Sequence, residues 1–186
     1  MNRIIIYGSK YGTTKKYASE LSKKLNSVVI SYNDVVDLKN YDSIIYLGAL
    51  YAGGVLGMSK TLKKINNPDG KELVLITIGL ADPYDEQNVK TINKGIERQV
   101  TPEIFNQLNI FHLRGGIDYS KLDFKHKTMM RLLYNKAKKL PEEKQTAEVK
   151  AMIETYNSVV DFVDFEELDK IIAEIDNMEK VNHKSK

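Results

Sequence analysis

Cysteine and tryptophan are both absent from this 186-residue chain. Without cysteine there can be no disulfide, no thiolate metal site and no cysteine-ligated iron–sulfur cluster, so any redox chemistry has to come from a bound organic cofactor. Prolines number four, and no Pro- or Gly-rich linker divides the sequence, which is expected to fold as one domain over residues 1–186. No apolar run approaches the length that crosses a bilayer. Met1-Asn2-Arg3 leads directly into an apolar segment, leaving no room for a signal peptide, so the cytoplasm is the expected location. Other signatures are missing too. There is no Gly-x-x-x-x-Gly-Lys-Ser/Thr, no Gly-x-Gly-x-x-Gly and no Gly-x-Ser-x-Gly, which removes the nucleoside-triphosphate loop, the dinucleotide fingerprint and the serine-hydrolase elbow. His112, His126 and His183 have no ligand spacing, so no metal site is expected.

Hydrophobic residues at 42% and charged residues at 28% fit a globular protein. The net charge of +3 conceals a segregation. Residues 114–139 hold eight Lys or Arg against Asp118 and Asp123, whereas residues 161–180 hold eight Asp or Glu against Lys170 and Lys180. The basic segment could favour an acidic partner or an anionic membrane surface. No nucleic-acid motif accompanies it, and no nucleic-acid partner is expected.

The most informative stretch is residues 3–14, Arg-Ile-Ile-Ile-Tyr-Gly-Ser-Lys-Tyr-Gly-Thr-Thr. Ile4, Ile5 and Ile6 read as a strand buried on both faces of a parallel sheet. Tyr17, Ala18, Leu21 and Leu25 then recur at helical intervals, so the intervening turn opens a helix. Unpaired N–H groups and the positive end of the helix dipole attract an anion there. Ser9, Thr13 and Thr14 can add O–H donors, while Gly8 and Gly12 permit close backbone approach. A terminal phosphomonoester suits such a cradle. The plainer alternative is a simple helix cap.

Further strands are expected at Ser27–Ser31, Asp42–Gly48, Glu72–Gly79 and Asn109–Leu113, and helices at Gly57–Ile65, Glu86–Gln99 and Phe165–Met178. This alternation predicts an α/β fold, a doubly wound five-stranded parallel sheet of order 2-1-3-4-5 with a helical insertion before the last helix. Ligands of such sheets bind beyond the carboxyl ends of the strands. The loops expected on that edge are Ser9-Lys10-Tyr11-Gly12-Thr13-Thr14, Ala49-Leu50-Tyr51-Ala52-Gly53-Gly54 and Gly79-Leu80-Ala81-Asp82-Pro83-Tyr84. Tyr51 and Tyr84 could stack on a planar ligand or be ordinary loop aromatics. A receiver domain shares this sheet but needs acidic residues where Tyr7 and Gly8 stand.

Ser9, Gly12 and Thr14 reproduce the hydroxyl, glycine and threonine spacing of the FMN phosphate loop, and in this the chain resembles the flavodoxin family. The resemblance implies that residues 9–14 hold the FMN phosphate and that loops 49–54 and 79–84 flank the isoalloxazine. It also implies that backbone groups around Ala52–Gly54 tune the flavin at N5. Tyr11 stands where a small hydroxyl residue is common, and with no tryptophan, Tyr51 and Tyr84 are the available stacking partners. The basic insertion, residues 114–150, is similar to that of the menaquinone-dependent protoporphyrinogen oxidase branch. Its segment Lys125–Lys139 reads as an amphipathic helix that either packs on the body or covers the flavin edge and meets an acidic protein, a membrane or porphyrin propionates. The resemblance therefore implies an electron-transferring flavoprotein with a redox partner protein, or an enzyme with quinone and porphyrin substrates. A flavin-free binding module with the same fold is the remaining alternative.

Overall fold

A computed structural model describes residues 2–35, 37–51 and 53–184. Strand β1 (Arg3–Gly8) leads into helix α1 (Thr13–Leu25), followed by β2 (Val28–Ser31), β3 (Ser43–Tyr51), β4 (Gly54–Val55) and α2 (Met58–Leu62). Strand β5 (Glu72–Gly79), α3 (Glu86–Glu97), α4 (Pro102–Gln107) and β6 (Leu108–Arg114) complete the main sheet. An excursion then carries β7 (Gly116–Asp118), α5 (Phe124–Ala137), α6 (Ala147–Glu154) and β8 (Val159–Asp161) before α7 (Glu167–Lys184).

The sheet runs β2-β1-β3-β5-β6, every neighbouring pair parallel. Counted over the parallel strands alone, this is the expected order. Alternation along each strand then divides the core between two faces. Ile4, Ile6, Ile44, Tyr46, Leu73 and Leu75 pack with Met58, Leu62, Ile92, Ile96 and Ile104 of α2, α3 and α4. On the other face Ile5, Ile45, Leu47, Val74 and Ile76 meet Tyr17, Ala18 and Leu21 of α1 and Leu168, Ile171 and Ile175 of α7.

Two features depart from the sequence reading. Residues 49–51, expected in a loop, continue β3 and pair back with β4, Leu50 opposite Val55 and Tyr51 opposite Gly54. Gly53, at φ +80°, supplies the left-handed turn, and the Gln99 side chain accepts from the Val55 N–H at 3.0 Å. The insertion also runs past residue 150. It leaves through β7 and returns through β8, an antiparallel stem pairing Gly116 with Asp161 and Asp118 with Val159. Tyr17 ties that stem to α1, its hydroxyl donating to the Arg114 carbonyl and accepting from the Asp164 N–H, both at 2.9 Å.

Gly8 ends β1 where a side chain has no room: an added Cβ would lie 2.1 Å from the Leu56 carbonyl oxygen and 2.8 Å from the Tyr46 hydroxyl. The backbone oxygen cannot swing aside as a flexible side chain could. Gly8→Ala is therefore expected to destabilise the fold by about 1–3 kcal/mol. Urea unfolding should show a lowered midpoint at unchanged slope.

Candidate functional site

The carboxyl edge of the sheet opens into a cavity of about 610 Å³. Its first wall is the β1–α1 turn. Gly12 takes φ +92°, and no side chain caps α1. Helix α2 likewise starts on a left-handed glycine, Gly57, with no side-chain cap, whereas α3, α5 and α6 begin on side-chain caps from Asp85, Asp123 and Thr146. The Gly12 N–H donates to Ser9 Oγ at 3.2 Å. The next three N–H groups, of Thr13, Thr14 and Lys15, precede the first intrahelical donor, the Lys16 N–H that bonds the Gly12 carbonyl at 3.1 Å, and face outward along the helix axis. Because Ser9 Oγ accepts in that contact, its own hydrogen remains available for donation. Thr14, only 2% exposed, lines the cavity, and an added Cβ at Gly12 would meet nothing within 4 Å. The turn thus converges several donors on open space beside a helix dipole, a setting for an anion.

Thr13 departs from the expectation that its hydroxyl serves the anion. It lines the cavity but donates to the Gly116 carbonyl at 3.0 Å, fastening α1 to the insertion stem. Lys10 lies over the Tyr51 ring, 5.2 Å from its centroid. Tyr11 faces the cavity and points its hydroxyl at Met130 Sδ, 3.5 Å away. Burial, with smaller contributions from Tyr51 and Asp123, pushes its phenol up to about 12, so it stays a proton donor.

The second wall is the β3–β4 hairpin, with Ala49, Leu50, Tyr51, Gly53 and Gly54 on the cavity. Ala52 lies outside the described residues. From the third segment Gly79 and Leu80 line the cavity, whereas Ala81, Asp82 and Tyr84 do not. Tyr84 corrects the expectation of a stacking partner: it is 72% exposed, and its hydroxyl donates to Glu167 on α7 at 2.6 Å. The reason lies in its own turn, where Asp82 Oδ1 accepts from the Tyr84 N–H at 2.9 Å and the Asp82 carbonyl accepts from the Asn88 side chain. That turn aims residue 84 toward α7.

For the roof, sequence reasoning offered α5 as a helix that either packs on the body or covers the flavin edge, and it missed α6. Met129, Met130 and Leu133 of α5 and Val149 and Met152 of α6 close over the cavity, and Asn88, Ile92 and Gly95 of α3 form its side. Met129 Sδ accepts from the Tyr51 hydroxyl at 3.1 Å. The helical spacing of Met129, Met130 and Leu133 was the available signal for α5; α6 follows a polar run with none.

Glu148 is the least expected member of the site. Its carboxylate accepts from the Leu80 N–H at 3.1 Å and the Ala81 N–H at 3.0 Å, consuming two donors of the third segment. Gly79 makes room, since a Cβ there would lie 2.2 Å from Glu148 Oε1. Burial raises the carboxyl above its ordinary value, opposed by the two amides and by Arg114. Among the described residues no group of three or more His, Asp or Glu could hold a metal ion.

Because the folded carboxyl titrates above its unfolded value, its contribution to stability is fully present below the ordinary carboxylate value and is lost as pH rises through the raised one. Glu148→Gln should remove that slope. It should also cost about 1–3 kcal/mol, since a carboxamide oxygen serves one amide well and leaves the other facing an N–H. Urea unfolding at a series of pH values checks both.

Comparison with known proteins agrees with this architecture. The family model described as Flavodoxin domain matches residues 4–144. No curated protein sequence matches significantly. Among solved structures, a flavoprotein in complex with FMN from Lactobacillus acidophilus is 16% identical, covering 61% of this chain and 91% of its own, with a TM-score of 0.44. A flavodoxin variant from Pseudomonas aeruginosa is 16% identical over 73% of this chain and 95% of its own, TM-score 0.40. A Fusobacterium nucleatum flavodoxin variant bound to flavin mononucleotide is 17% identical over 66% and 72%, TM-score 0.41.

Proposed function

We propose, from the premise that this chain belongs to the flavodoxin family, that it binds FMN in the cavity and transfers electrons to and from a redox partner. The observation that carries the reading is the uncapped start of α1 after Gly12, at a turn from which Tyr11, Thr13 and Thr14 line the cavity. A phosphate dianion gains charge-assisted hydrogen bonds there without needing a cationic side chain. Bound FMN would supply reversible electron uptake, chemistry that no side chain of this cysteine-free sequence provides.

The chain's own residues would bind, orient and shield. Thr14 and the N–H groups of residues 13–15 would hold the phosphate. Tyr51, with Lys10 stationed over its ring, and the apolar methionine roof would flank the planar rings and exclude water. The cavity volume lies within the range typical of small-molecule sites, about 300–1,000 Å³.

A second reading is favoured by the roof. Met129, Met130, Leu133 and Met152 give the cavity an apolar lining beyond the phosphate turn, with Lys136 also at its wall. Such a lining suits an enzyme of protoporphyrinogen oxidase type, with a porphyrinogen as reductant and menaquinone as oxidant. Anaerobic assay with both compounds separates the two readings, because a carrier gives no substrate-dependent turnover.

The purified protein is expected to take up one flavin per chain and quench its fluorescence. A colourless preparation that binds no added FMN would leave only a non-redox binding module. Gly12→Val should weaken FMN binding by at least about a hundredfold, the equivalent of one or two charge-assisted hydrogen bonds. The left-handed backbone adds about 1–2 kcal/mol of strain, a cost the fold should survive, as circular dichroism would show. Undiminished FMN affinity in that variant would place the phosphate elsewhere.

A further inference from the structure

The outward face of α5 is not used by the rest of the chain. Phe124 is 84% exposed and Leu132 64% exposed. At 3.6 residues per turn these two stand with Thr128 and Asn135 along one side of the helix. Lys127, Arg131 and Lys138 border that side on one flank, Lys125 and Lys136 on the other, and Lys139 follows the helix end. All six cations are exposed, and α5 contains no acidic residue. Among the described residues none of the six forms an ion pair; Lys127 donates to the Ser120 carbonyl and Lys138 lies over the Tyr134 ring. The opposite face is committed: Met130 and Ala137 are buried, and Met129 roofs the cavity.

Cations alone would suit any polyanion. Two large, isolated apolar side chains projecting between flanking lysines suit a surface where a charged layer overlies hydrocarbon, because apolar tips enter the headgroup boundary while the long basic side chains reach phosphate oxygens. We infer that the outward face of α5 docks the protein on an anionic phospholipid bilayer, with Phe124 and Leu132 inserted and the surrounding lysines and Arg131 on lipid phosphates. No described helix is long and apolar enough to cross a membrane, so the contact assigned to α5 is with the surface. Since the inner face of the same helix closes the cavity, docking sets the cavity roof against the lipid.

The test is co-sedimentation with vesicles of phosphatidylglycerol and phosphatidylcholine, compared with phosphatidylcholine alone. The wild-type protein should sediment with the anionic vesicles at low salt and be released as salt rises. Lysine or arginine near such a surface contributes roughly fivefold each. The triple variant Lys125→Gln, Arg131→Gln, Lys139→Gln should therefore bind about a hundredfold more weakly. Phe124→Ser with Leu132→Ser should cost at least about tenfold. None of these five residues lines the cavity, so thermal unfolding and flavin content should not change.

Equal binding to neutral vesicles, no binding to anionic ones, or wild-type binding by both variants would overturn the proposal. So would binding that the serine pair retains in full and soluble polyglutamate abolishes, which would assign the face to an acidic protein. The readout needs no flavin. Wild-type protein that holds FMN but does not sediment with anionic vesicles defeats the docking alone, and a colourless wild-type protein that still sediments defeats the flavin reading alone.

Discussion

Gly8 lets the end of β1 press against the Leu56 carbonyl, and Gly12 turns the chain through the left-handed region four residues later. Between them these two residues decide where α1 begins and that it begins without a side-chain cap. The orphan N–H groups of a helix start are costly if left unmet, and elsewhere in this protein Asp85, Thr101, Asp123 and Thr146 meet them. Helix α1, like α2 at Gly57, starts on a left-handed glycine without such a cap, and at α1 the proposed reading assigns the donors to the FMN phosphate. The rest of the edge follows from this choice, because β3 and β5 bring their ends beside the same turn through the parallel register with β1.

The insertion completes what the sheet leaves open. Its stem is held by Tyr17 and Thr13 of α1, so the helix whose start carries the proposed phosphate site also anchors the roof above it. A small satellite core of Ile117, Tyr119 and Met130, with Tyr11, Leu80 and Met152 packed on it, makes the roof a structured layer. Tyr11 and Leu80 belong to the sheet edge, and their burial joins the two parts. Methionine is well suited to the inner surface, since an unbranched, polarizable side chain adapts to a flat ligand with little strain.

Much of this was legible in the sequence. Consecutive β-branched residues at 4–6, the helical spacing of Tyr17, Ala18 and Leu21, and the strand at 72–79 have strong local signatures, and all three form as read. The glycines and hydroxyls of residues 8–14 marked the turn between β1 and α1 because their chemistry is local. Three matters were not legible. Tyr84 was placed by a three-residue Asp turn that aims it at Glu167. The extension of β3 to Tyr51 depends on Gln99 bonding Val55, 44 residues away. Glu148 sits among solvated glutamates and lysines, and nothing in that stretch distinguishes the one carboxylate that turns inward.

That carboxylate also settles the polarity of the cavity. An amide pair at the end of β5 would ordinarily present two donors to a ligand's acceptor atoms, but here Leu80 and Ala81 give theirs to Glu148. Each Glu148 oxygen retains a free lone pair, so this wall offers acceptors where bare amides would offer donors. In the proposed binding mode the phosphate oxygens would find donors at the N–H groups of residues 13–15 and only acceptors at Glu148, while a ring bearing an N–H could donate to Glu148. The orientation proposed for FMN thus follows from two oppositely biased walls acting together, with the α1 turn attracting the phosphate and Glu148 excluding it from the other side.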